Sequence, residues 1–303
     1  MPDPSDLPPR KPERIELVDG SLTRLGDELR ERGPFDRLVL AEGDSWFDLF
    51  TPLPLREANL LEALRLPGRS AIVDCARIGD TAAAIAGGWQ AAATVDLLDD
   101  TPFDAILLSA GGNDLKSIFA ARLASEVIEA RRHAQPAARL KSRAREALAA
   151  RDPIHDVVDA IGRFVQLRDG SRRNARTPIV LHGYDVFQPR PAPPRVIGLA
   201  GPRDAWIWPI LRRAGLDDTE MLDEVRQVLG TLDDALRRAV AGWPEVHLVR
   251  QVGTLAPAPA GSNGPAGDWA DEIHPSEQGF RKLAALWNPL LQSLLRRPRP
   301  PSN

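Results

Sequence analysis

The chain has 303 residues, 43% hydrophobic and 27% charged, with a formal net charge of −3. That near balance excludes a nucleic-acid binder working by general electrostatics. A single cysteine, Cys75, excludes an internal disulfide and a cysteine-based metal cluster, so no metal or cofactor is expected.

In chain order, residues 1–14 are proline-rich and charged and read as a disordered lead-in without the apolar core of a signal peptide. The stretch "SLTRLGDELRERG" reads as a short amphipathic helix, with Ser21 as N-cap and Gly33 as stop. Apolar runs of strand character follow at 37–43, 70–76, 103–112, 177–185 and 245–252. The segments between them, among them "TAAAIAGGWQAAATVDLL" and "HDVVDAIGRFVQLRDG", have helical character. Continuous apolar strands alternating with helices predict a three-layer α/β/α sandwich around a five-stranded, mostly parallel sheet. One domain over 15–296 is expected, with a tail at 297–303.

Two segments exceed a minimal sandwich. An Arg/Ala-rich helical insertion is expected at 117–151, and a proline-rich, lid-like loop at 186–216 carries Trp206 and Trp208. No segment approaches the roughly 18 uninterrupted apolar residues of a membrane span. A cytoplasmic protein with no membrane or nucleic-acid partner is the expectation.

The candidate site starts at "LVLAEGDSWFDLF", where Ser45 follows the end of a strand. It reads either as a turn residue or as a nucleophile. In "WADEIHPSEQGF", Asp271 stands three residues before His274, a spacing that lets a carboxylate orient an imidazole on one helical turn. The competing reading is an ordinary helix N-terminus. "SAGGNDL" leaves a strand through two glycines to Asn113, whose amide is a neutral donor for a developing oxyanion. Gly79 in "ARIGDTAAAI" offers a backbone N–H, with plain turn chemistry as the alternative.

The order Gly-Asp-Ser, Gly, Gly-x-Asn-Asp and Asp-x-x-His-Pro resembles the SGNH (GDSL) hydrolase superfamily, over roughly 38–290. The resemblance implies a flavodoxin-like sheet, Ser45 as nucleophile, His274 as base and Asp271 as its orienter. It also implies an oxyanion hole of the Ser45 and Gly79 amides with Asn113. Trp46, Asp74, Ala76 and Ile78 depart from the family's frequent residues, and Phe47 excludes a Gly-x-Ser-x-Gly elbow.

The expected activity is hydrolysis of a small or medium-chain acyl ester. Alternatives are a carbohydrate O-deacetylase, a lysophospholipase or thioesterase, and a non-catalytic ligand-binding module. His182 and Tyr184, at the end of the fourth strand, line the pocket or bond loop backbone. Trp46, Phe47, Trp206 and Trp208 form an apolar acyl pocket or simply pack.

Overall fold

The structure, a computed structural model, describes residues 7–17, 21–51, 56–123, 152–194 and 204–297. Six strands form the main sheet: β1 (Glu13–Glu16), β2 (Arg37–Gly43), β3 (Ser70–Asp74), β4 (Ala105–Ser109), β5 (Ile179–His182) and β6 (Val246–Val249). Their order is β6-β5-β4-β2-β3-β1, and every neighbouring pair is parallel. β3, β4 and β5 are buried along their whole length, as both-face coverage requires.

The sheet has six strands where the sequence predicts five. The extra strand corrects the reading of 1–14 as a disordered lead-in, because part of that segment is ordered. Pro9–Arg10 pairs with Leu66–Pro67, and Glu13–Glu16 extends the sheet beside β3. Only Ile15 of this edge strand is buried, while Arg14 reaches the buried carboxylate of Asp74. An edge strand with one apolar residue and alternating charges has no periodic signature to read.

Helix α1 (Leu22–Arg32) is capped by Ser21, whose Oγ accepts from the N–H of Arg24, and it ends at Gly33. Helix α2 (Gly88–Asp100) packs on α1 and on α3 (Pro153–Asp169), and α3 packs on α4 (Asp218–Val240). Helix α5 (Glu277–Leu295) lies against the short Leu60–Ala63 helix. The sheet with its flanking helices is the expected α/β sandwich. Of the insertion at 117–151, the described part is helical to 123 and the rest lies outside the described residues. No helix among the described residues is long and apolar enough to cross a membrane.

Leaving out β1, the strand order is the 2-1-3-4-5 arrangement, whose direction of winding reverses between β2 and β4. Ligands in such sheets bind beyond the strand C-termini at that reversal. Ser45 follows β2 and Asn113 follows β4, so the topology sets both beside the same crevice. Gly43 permits this closeness: a Cβ there would lie 2.7 Å from Cβ of Ser109 and 2.8 Å from its carbonyl oxygen.

Candidate active site

Three of the predicted residues form one hydrogen-bonded chain. Ser45 Oγ lies 2.8 Å from His274 Nε2, and His274 Nδ1 lies 2.8 Å from Asp271 Oδ2 and 3.0 Å from its Oδ1. All three are buried, at 6%, 3% and 4% exposure for Ser45, His274 and Asp271. The chain 271–274 is not the helical turn anticipated from its spacing. It is a bend in which Asp271 Oδ1 also accepts the N–H groups of Ile273 (3.0 Å) and His274 (2.9 Å). A carboxylate that organises its own turn holds the imidazole as well as a helix would. The helix begins after it, with Ser276 as N-cap of α5.

Burial acts against the His274 cation, but the charge and hydrogen bond of Asp271 outweigh it, and Asp44 adds to them. The net effect raises the imidazole pKa above its ordinary value. A base so placed accepts a hydroxyl proton more readily.

The proposed donors surround this chain. Asn113 is half-buried and gives one amide hydrogen to the Asp80 carbonyl at 2.8 Å, while its second has no acceptor among the described residues. The backbone N–H groups of Ser45 and Gly79 have no hydrogen-bond partner among the described residues. Gly79 adopts φ +92°, a left-handed conformation that favours glycine. Its loop is held by carboxylates on both sides: Asp48 accepts from the N–H of Ile78 at 3.3 Å, and Asp114 from that of Ala82 at 2.9 Å.

Beneath Ser45 lies a polar layer that sequence reasoning found only in fragments. Asp44 accepts from the N–H of Trp46 (3.0 Å), from Ser109 Oγ (2.7 Å) and from the Tyr184 hydroxyl. His182 Nε2 lies 2.8 Å from Ser109 Oγ, and its Nδ1 meets the Gly183 carbonyl at 2.8 Å. Burial holds the His182 pKa down, at about 4. Burial raises the Asp44 carboxyl even though three hydrogen bonds oppose the shift. The available signal was Ser109 itself, a polar residue at the fully buried end of an apolar strand.

The aromatic residues divide into two groups. Trp46 stacks on His182 with centroids 5.2 Å apart, and Phe47 packs edge-on against Trp287 at 6.0 Å. Trp46, Phe47, His182 and Tyr184 are all buried and pack against one another beside Ser45. Trp206 and Trp208 are half-buried at the surface of the core.

The described ends of the 186–216 loop are pinned. Residues 195–203 lie outside the described set. Arg190 is fully buried and donates to the carbonyls of Asp271, Gly264 and Ser262. Glu272 accepts from three consecutive backbone amides, Trp206 to Trp208. Neither residue carries a motif, and their positions in the sequence give no hint of burial.

No family model and no curated protein matches the chain. Among solved structures it is similar to an aryl esterase of M. smegmatis, with 14% identity, 85% of this chain and 99% of that chain covered, and a TM-score of 0.48. It is also similar to the lipase Lip_vut3 from a goat rumen metagenome, with 12% identity, 83% and 95% coverage and a TM-score of 0.47.

Proposed function

We propose that the protein is a carboxylic ester hydrolase of the SGNH (GDSL) type, with Ser45 as nucleophile, His274 as general base and Asp271 as its orienter. The observation that carries this reading is the continuous chain from Ser45 Oγ through both nitrogens of His274 to Asp271. Residues that merely cap turns have no reason to converge from positions so far apart in sequence.

In this reading His274 takes the Ser45 proton as the hydroxyl attacks the ester carbonyl. The oxyanion is met by the free amides of Ser45 and Gly79 and by the second amide hydrogen of Asn113. His274 then protonates the leaving alcohol, and the acyl-enzyme is opened by a water activated at the same nitrogen. Asp271 compensates the imidazolium at each stage. The confined setting of Ser45 favours small or medium-chain acyl groups.

The test is labelling with a fluorophosphonate. The expected result is one covalent adduct on the wild type and none on Ser45→Ala. No adduct on either protein would end the hydrolase reading in favour of a non-catalytic binding module.

A further inference from the structure

Glu272 stands between the proposed orienter and base, yet the mechanism above gives it no task. It is fully buried, and its Oε2 accepts from the N–H groups of Trp206 and of Ile207 (3.0 Å), while Oε1 accepts from that of Trp208 (2.6 Å). Its own N–H donates to the Ala192 carbonyl at 3.0 Å. One residue of the His274 loop therefore fastens both described ends of the 186–216 segment. The charges that bear on it are Asp271 and Arg190.

The fastened segment approaches the helical turn that follows Asn113. Lys116 Nζ lies 5.8 Å from the Trp206 ring centroid, and Lys116 is three residues beyond Asn113. Ile207 and Leu211 root the segment in the core. The Trp206 indole Nε1 is buried and has no acceptor among the described residues, so no hydrogen bond of the ring fixes it there. Its placement follows from its backbone, and the backbone is held by Glu272. The short Trp208–Arg213 helix has no side-chain cap from its own N-cap residue, Ile207, so the acceptors come from this distant loop.

We propose that Glu272 is a specificity-determining positioning residue, which pins the Trp206–Trp208 backbone to the His274 loop and makes the Trp206 ring a fixed wall that admits short acyl groups. This rests on the hydrolase reading and names the substrate feature that the site selects. Three N–H hydrogen bonds accepted by one carboxylate resist displacement of that wall, and a carboxamide, with one acceptor and a competing donor, cannot reproduce them.

The experiment compares Glu272→Gln, Trp206→Ala and the double variant on p-nitrophenyl acetate and octanoate, with amide hydrogen exchange read at 206–208. Glu272→Gln is expected to speed exchange at these amides and to raise the octanoate-to-acetate ratio of kcat/KM about tenfold, mainly through KM for octanoate. Trp206→Ala should relax the ratio similarly, with no further gain in the double variant. An unchanged ratio, or an equal fall in kcat for both esters, would overturn the proposal. If Glu272→Gln does not fold, an unchanged ratio in Trp206→Ala overturns it alone. A wild type that takes no fluorophosphonate adduct defeats the hydrolase reading instead, while amide exchange still reports on the tether.

Discussion

The two halves of the candidate site are built in different ways. The nucleophile half sits on strand ends, where parallel register and a glycine-tight approach of β2 to β4 place Ser45 and Asn113. The base half lies on irregular chain, where buried charged side chains bind loop carbonyls and amides: Arg190, Glu272, and Asp268, which accepts from the N–H of Ala256 at 3.0 Å. Backbone ladders locate a residue whatever its neighbours are. Loops lack such a ladder and satisfy many of the polar groups they bury with individual side chains. The base half therefore depends on single residues to a degree that the nucleophile half does not.

That contrast can be broken at several points. Ser45→Ala should reduce turnover by on the order of 10⁶-fold, with unchanged thermal stability; a residual rate near wild type would mean another nucleophile. Asp271→Asn should cost between about 10²- and 10⁴-fold in kcat. In the wild type the base works when neutral, so kcat/KM should rise with pH through a midpoint above the ordinary imidazole value of about 6.5. Removing the Asp271 charge should move that midpoint downward, and a pH–rate profile that does not move would show that Asp271 does not set the base.

Asn113→Ala should slow turnover by about 10²- to 10³-fold while the fold is kept, since the side chain is only half-buried. An unaltered kcat would remove it from the oxyanion site. The stability arms then compare the halves directly. Arg190→Met leaves three carbonyls without their donor and should cost about 3–5 kcal/mol in denaturant unfolding. Ser109→Ala, which cuts the link between Asp44 and His182, should cost only about 1–3 kcal/mol, because the ladder around it remains. Equal losses in these two variants would erase the distinction between the halves.

Much of the architecture was legible in the sequence because apolar runs buried on both faces leave an unbroken signal. The five strands from Arg37 to Val249 and the helices between them follow that signal. Strand β1 did not, since "ERIE" buries one residue and carries no periodic apolar pattern. Ser45, Asn113, Asp271 and His274 were legible as candidates because short local patterns carry their chemistry. Trp46 and Phe47 were ambiguous, because an aromatic pair beside a nucleophile serves equally as wall or as floor.

Sequence alone determined which residue types could do chemistry and which strand ends would present them, because both are encoded within a few consecutive positions. Only the tertiary structure decided the partnership of Ser45 with His274, the layer of Asp44, Tyr184, Ser109 and His182, and the loop ties of Arg190 and Glu272. Those contacts join segments remote in the chain, and a buried polar side chain reveals its role only through the groups that satisfy it.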